Sequence, residues 1–508
     1  MPDPPARAGR AQQRQRPRLP GRAARDRAVA RRRRAGRHAH RAGRQARRLR
    51  RAPGRAGGRT AGRRLRRGVR RPARRDRVVP AVRGRPGRRG PAVNFGEFVR
   101  WRHARGALVV QPRMGFADPT LMRAGLLATR QADAATVGTI TLDSYTRVGD
   151  LDAAGHALRQ GIALNGYPIV NHPVDTTRAV LDGVLAEDFP VQVRHGSARP
   201  LDIFAALIRA GLHATEGGPV SYCLPYGRTP LAESVANWAA ACELLLTTRQ
   251  DGVEPHLETF GGCMLGQLCP PSELVAISVL EALFFHRMGL RSISVSYAQQ
   301  TNPAQDLEAV TALRRLCAEL LPGADTHVVV YAYMGLAPRT PAGARRLFAE
   351  AVRLAVAGGA QRLIVKTVAE AYRIPTIAEN VAALEHAAAT ARAMPRPADP
   401  AASGGQVYRE ARAIVEAVLD GAPDLGRAIV LAFRRGLLDV PYCIHPDNAG
   451  RSRSHLDEDG TLRWTRLGNL PLGGLAELRP RDPVGSTELL SALSYTQRTF
   501  DAPHLKEV

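Results

Sequence analysis

The 508-residue chain has no Cys-x-x-Cys pair, no uninterrupted apolar stretch of bilayer-spanning length and, over residues 1–92, no aromatic, Ile, Ser, Asn, Cys, Glu or Lys. Each absence excludes something. The six cysteines (Cys223, Cys242, Cys263, Cys269, Cys317, Cys443) are scattered, several within apolar patterns, which points to reduced, buried thiols and against a zinc site. With no spanning segment, and no hydrophobic stretch behind the basic N-terminus as a secretory signal requires, the expectation is a cytoplasmic protein that does not engage a membrane. A segment of eleven residue types without aromatics cannot bury enough apolar surface to offset the entropy of ordering, so residues 1–92 are expected to be a disordered tail.

That tail holds 34 Arg and three Asp, a net of +31, whereas the other 416 residues carry 40 basic and 42 acidic groups. The formal charge of +29 therefore belongs entirely to the tail. As an Arg-rich arm it would bind polyanions without sequence preference. Arg, Ala, Gly and Pro are also what a GC-rich gene yields when read upstream of its true start, and protein-like sequence begins abruptly near Val93-Asn-Phe-Gly. The second reading is preferred on composition alone; separately, the near-neutral remainder shows no nucleic-acid module, and nucleic acid is not expected as a partner.

From residue 107 short β-branched runs alternate with amphipathic segments. Candidate strands are Leu108–Pro112, Thr136–Leu142, Pro168–Asn171, Pro190–Val193, a short one near His213 or Val220, Val253–Thr259, Ser292–Tyr297, His327–Tyr331 and Leu363–Lys366. Helical patterns cover Ser272 to Met288, Pro303 to Leu320 and Pro341 to Ala357. About eight βα units in roughly 270 residues predict an α/β (β/α)8 TIM-type barrel, with a doubly wound sheet as the alternative. The expected organisation is a tail (1–92), a catalytic barrel (93–394), a linker (395–406, containing Pro395-Arg-Pro-Ala-Asp-Pro) and a C-terminal region (407–508), helical to about residue 437 and then loop-rich.

Three arginines, Arg113, Arg147 and Arg194, each stand at the far end of such a run, where a barrel gathers its chemistry. One arginine at a strand end is ordinarily a surface ion-pair partner; three suggest a clamp for a multiply charged acid. Glu216, ahead of Gly-Gly, could hold an ammonium, and the hydroxyls of Tyr222 and Tyr226 could fill remaining acceptors, although a turn residue and packing aromatics are the plainer readings. Two carboxylates and one amine describe an acidic amino acid. His256 and Glu258 share a strand face, weak support for a metal-dependent lyase, and no metal is expected.

In order and spacing, the strings Gln111-Pro-Arg-Met-Gly115, Asp143-Ser-Tyr-Thr-Arg147, Leu164-Asn-Gly-Tyr-Pro, Arg194-His-Gly196, Glu216-Gly-Gly, Ser221-Tyr-Cys-Leu-Pro-Tyr226, Val365-Lys-Thr367 with Glu370-Ala, and Asp439-Val-Pro resemble the catalytic epsilon subunit family of adenosylcobalamin-dependent glutamate mutase (methylaspartate mutase). The resemblance runs from about Asn94 to Leu472. It implies a radical interconversion of L-glutamate and 3-methylaspartate, with Arg113, Arg147, Arg194, Glu216, Tyr222 and Tyr226 on the substrate. Of these, Arg147, Arg194 and Glu216 carry the catalytic positioning. Gly115, Lys366 and Glu370 are implied near the cofactor, and the i, i+4 spacing of the last two suggests one face of a helix. The resemblance also implies a small cobalamin-binding partner subunit with an Asp-x-His-x-x-Gly motif, and a homodimer of this subunit within a heterotetramer. The nearest string here, Asp325-Thr-His327-Val-Val-Val330, lacks the glycine and enters an expected core strand. Tyr331-Ala-Tyr-Met-Gly-Leu336, Tyr297-Ala-Gln-Gln-Thr-Asn302 and Phe260-Gly-Gly-Cys-Met-Leu-Gly depart from the family pattern, leaving open a related acidic substrate or an inactive acidic-ligand-binding barrel.

Overall fold

A computed structural model describes residues 94–261, 268–395, 405–479 and 484–502. The tail, most of the expected linker and Cys263 lie outside the described residues. Eight parallel strands run in the order β1-β8-β7-β6-β5-β4-β3-β2: β1 Val109–Gln111, β2 Gly138–Thr141, β3 Val191–Arg194, β4 Ala214–Glu216, β5 His256–Glu258, β6 Ser292–Ala298, β7 Asp325–Tyr331 and β8 Arg362–Ile364. The seam between β1 and β2 closes through a parallel bridge of Val110 with Thr136, and the Val110 N–H donates to the Ala135 carbonyl at 2.8 Å. Helices separate the strands, so this is the (β/α)8 barrel expected from the alternation. The candidate strand at Pro168–Asn171 is not one: Tyr167 makes a single bridge to Leu142 and the chain then turns.

Proline starts several of the helices, where its missing N–H costs nothing. Asn302 caps Pro303–Leu320 by accepting from the Ala304 and Gln305 N–H groups, both at 3.0 Å. Helix Pro271–Arg287 is buried almost all round, because helices Pro303–Leu320 and Gln406–Leu419 pack on it. The apolar core consequently runs without interruption from the barrel into the residues beyond 405. An antiparallel hairpin, β9 Arg453–Leu456 with β10 Leu462–Arg466, follows the C-terminal helices, then two short helices, Ser486–Leu493 and Tyr495–Asp501, elements that the expectation of a loop-rich end does not include.

The barrel's N-terminal mouth is plugged by helix Phe95–Ala104. Phe95 stacks on His256 at 4.9 Å, and Gly96 lies so close to Ser292 that a Cβ would sit 2.2 Å from its hydroxyl. Above the plug the interior is polar. Arg362 and Glu258, both fully buried, form an ion pair, with Gln111, Gln192 and Ser294 bonded around them. Burying two charges costs free energy that close pairing and surrounding hydrogen bonds offset; here the ion pair and the bonds to both terminal nitrogens of Arg362 do so, and only its Nε lacks a partner among the described residues. Among the described residues, no helix is long and apolar enough to cross a membrane and no cluster of His, Cys, Asp and Glu could hold a metal ion. His327 is buried in β7 and stacked on His256 at 5.1 Å.

Candidate active site

The C-terminal mouth gathers most of the expected residues. Arg194 ends β3 and Glu216 ends β4, and the Arg194 Nε donates to Glu216 Oε2 at 2.8 Å with both side chains buried. The Tyr222 hydroxyl donates to Glu216 Oε1, and the Tyr331 hydroxyl lies 2.9 Å from Oε2. Burial raises the pKa of Glu216 against the pull of Arg194, with the neighbouring carboxylate of Glu258 adding to the rise. Of the buried polar atoms that have no hydrogen-bond partner among the described residues, two belong to the last residues of adjacent strands at this mouth: Arg194 Nη1 and Thr141 Oγ1. Thr141 and Arg194 are register partners, so the two orphans share one rim.

Arg147 does not end a strand. It lies on the short helix Ser144–Val148, which begins where buried Asp143 accepts from the N–H groups of Tyr145 (2.9 Å) and Thr146 (3.0 Å). That helix carries Arg147 across the end of β3: its Nε donates to the His195 carbonyl at 2.9 Å and its guanidinium lies 5.7 Å from the Tyr226 ring centre. Gly196, at φ +87°, makes room, since a Cβ there would stand 3.0 Å from the Arg147 side chain. Tyr226 is half-buried, with its ring 5.9 Å from that of Tyr222. Burial and the Arg147 charge push the His195 imidazole down to about 3, so it is neutral.

The Gly-Gly after Glu216 serves a carboxylate from outside the barrel. Glu281, on helix Pro271–Arg287, accepts from the N–H groups of Val220 (2.9 Å) and Ser221 (2.8 Å) and from the Ser221 hydroxyl (2.8 Å). A Cβ on Gly218 would lie 2.1 Å from this carboxyl group, and one on Gly217 2.3 Å from the Tyr222 ring. Sequence reading missed Glu281, which lies in a helix of apolar appearance.

Arg113, two residues beyond β1, pairs with Glu370 at 3.0 Å. Arg147 and Arg194 thus gather around Glu216, Tyr222 and Tyr226, while Arg113 is tied to the β8 side. Lys366 and Glu370 do not share a helix face: Lys366 lies in the segment between β8 and a 3-10 turn, Val368–Ala371, and Glu370 closes that turn's capping box by accepting from the Thr367 N–H at 3.1 Å. Lys366, Thr367 and Tyr333 border a cavity of about 280 Å³. Gly115 permits a close backbone crossing, because a Cβ there would sit 2.1 Å from the Thr141 carbonyl oxygen. Glu258, read from sequence only as weak support for a metal site, and Tyr331, read only as a departure from the family pattern, are bonded to each other below Glu216; Arg362 beneath them was missed.

Residues 91–481 match the family model described as methylaspartate mutase E chain (MutE). Curated relatives include glutamate mutase epsilon subunits from Yersinia enterocolitica, 29% identical over 75% of this chain and 81% of the relative, and Desulfitobacterium hafniense, 30% identical over 74% and 81%. The epsilon subunit from Halobacterium salinarum is 32% identical over 65% of this chain and 71% of that one. Among solved structures, a putative phosphonomutase from Burkholderia cenocepacia J2315 is 17% identical with a TM-score of 0.29, covering 53% of this chain and 92% of its own. With the match spanning the whole barrel and the site at its mouth, the chain belongs to the methylaspartate mutase E chain family and is a mutase subunit of the isomerase class.

Proposed function

We propose that the barrel mouth binds an acidic amino acid and interconverts L-glutamate and 3-methylaspartate, using adenosylcobalamin carried mainly by a partner subunit. The observation that carries this reading is the buried guanidinium of Arg194: one edge holds Glu216, and Nη1 is left without a partner beside the equally unpartnered Thr141 hydroxyl. A buried donor without an acceptor costs ~1–3 kcal/mol, a deficit that a ligand carboxylate removes. Arg147 and Arg113 supply the further cations for two carboxylates, Glu216 takes the ammonium, and Tyr222 and Tyr226 line the same wall. Catalysis belongs on this reading to residues 93–394, with residues 407–508 supporting them across the shared core.

The residues at the β8 end suit the cofactor's ribose. Glu370, at the rim with both its oxygens engaged by neighbouring donors, and Lys366 in the same segment offer an acceptor and a cation for hydroxyl groups. Gly115 keeps the neighbouring crossing free of a side chain. Lys366 is one of only two lysines in an arginine-dominated chain, the other being Lys506. When bound, the cofactor supplies the carbon radical that removes a hydrogen atom from the substrate. The protein's own residues need no nucleophile: they fix both carboxylates and the ammonium, exclude water and hold the substrate until the hydrogen returns. His327, buried in the barrel, is not placed to reach a cofactor, and relatives named as epsilon subunits support a second subunit as the carrier.

Titration calorimetry on the chain with its cobalamin-binding partner tests the substrate class. Glutamate is expected to bind at least about tenfold more tightly than glutarate, which lacks the ammonium, or 4-aminobutyrate, which lacks one carboxylate. Equal affinity for all three would contradict the reading.

A further inference from the structure

Beneath Glu216 lies an arrangement that the substrate contacts alone do not explain. Glu216 and Glu258 are register partners on β4 and β5, and a single hydroxyl, that of Tyr331, stands between them. Glu258 is surrounded by donors. Arg362 Nη2, Gln192 Nε2 (3.2 Å) and the Ser294 hydroxyl (3.2 Å) approach Oε2, and Tyr331 approaches Oε1. Such a group is an ionised acceptor, and Tyr331 must spend its one hydrogen on it. The Tyr331 oxygen then faces Glu216 Oε2 at 2.9 Å with lone pairs only, and two acceptors at that distance repel unless a proton lies between them.

We infer that, without substrate, Glu216 is a carboxylic acid that donates to Tyr331, and that an entering ammonium displaces this proton to solvent. At Glu216 itself the exchange leaves the local charge unchanged, the ammonium replacing the proton, while the two substrate carboxylates fall to the arginines. The charged and titratable groups facing the pair are Arg194 from β3, Tyr222 beyond β4, Tyr331 from β7 and Arg362 from β8. Their fields agree with the assignment. Although burial works against it, Arg362 and Arg194 hold Glu258 below the ordinary carboxylate value, whereas burial lifts Glu216 above it. Tyr331 is on this account a positioning residue that sets the protonation of the ammonium site.

The inference rests on the proposed role of Glu216 toward the substrate ammonium. Its test is calorimetric binding of glutamate at pH 7, in buffers of different ionisation enthalpy, to the full chain assembled with its partner and loaded with cyanocobalamin, which does not start the reaction. About one proton should be released per glutamate bound. In Glu258→Gln the new amide donates to Tyr331, turning its hydrogen toward Glu216, and release should fall close to zero. Infrared difference spectra of the wild-type complex give a second readout, a protonated-carboxyl band that disappears when glutamate binds. Binding with neither proton release nor loss of that band overturns the inference, whereas no binding of glutamate at all overturns the substrate reading instead.

Discussion

Arg113 and Glu370 form an ion pair, 3.0 Å between Nη1 and Oε2, that joins the segment after the first barrel strand to the segment after the last. The same contact occupies one of the three arginines expected on the substrate with a residue expected on the cofactor. Arg113 is about one-third exposed and Glu370 less so, so the pair contributes at most about 1 kcal/mol. Glu370→Gln is therefore expected to free Arg113 and tighten glutamate binding to the cofactor-free chain by up to about fivefold in calorimetry. Unchanged affinity would remove Arg113 from the substrate site.

Arg194→Lys keeps the charge and loses the fork. A single ammonium cannot pair Glu216 and present a second donor edge to a carboxylate, so kcat/KM should fall about 100-fold, equivalent to ~3 kcal/mol. Arg147→Lys, at the half-buried rim, should cost about tenfold less. Steady-state kinetics of the two variants in parallel decide the ranking, and equal losses would contradict it.

Gly218→Ala should destabilise the protein without touching substrate. The added Cβ would stand 2.1 Å from the Glu281 carboxyl and displace a buried group from its three donors, a loss of about 2–4 kcal/mol. Gly227→Ala is the control, because its Cβ would meet nothing nearer than 3.9 Å. Denaturant midpoints that fall equally for both would show that the Glu281 anchor is absent.

Three buried carboxyl groups set a pH dependence of stability. Burial pushes Glu281 and Asp306 up to about 7 and Glu273 up to about 8, the last against the Asp439 N–H that donates to it. The folded state holds these protons more tightly than the unfolded chain, whose carboxyl groups titrate near 4 to 4.5. Their contribution is thus complete below that range and is lost as pH rises through about 7 to 8. Melting temperature should fall between pH 5.5 and 8, and Glu273→Gln should flatten the upper part of that fall. A melting temperature that rises over the same interval would contradict these assignments.

The architecture was legible because eight of the nine candidate strands are strands, most of them short apolar runs bounded by turns, and helices starting at Pro303 and Pro341 announced themselves by proline at the first position. Pro168–Asn171 misled because Ile169 and Val170 look like strand residues, although they follow a proline and enter a turn. Arg194 and Glu216 were readable from strand ends. Arg147 was placed at the mouth but on the wrong element, the signal for its helix being the cap residue Asp143. Lys366 and Glu370 were given helical spacing that Thr367 ends by capping a 3-10 turn. Glu258 was noted on a strand face with His256, but the layer it forms with Gln192, Ser294 and Arg362 stayed hidden for a physical reason. Polar residues alternating with apolar ones in a strand read as a solvated face, whereas inside a barrel that face is buried and its members satisfy one another.

The most direct test of the central claim combines the chain with a small protein bearing Asp-x-His-x-x-Gly and adenosylcobalamin, then follows glutamate by proton NMR. The account expects the methyl signal of 3-methylaspartate to grow, to require all three components and to vanish in Arg194→Ala. Folded protein with bound cofactor that leaves glutamate unchanged would contradict it.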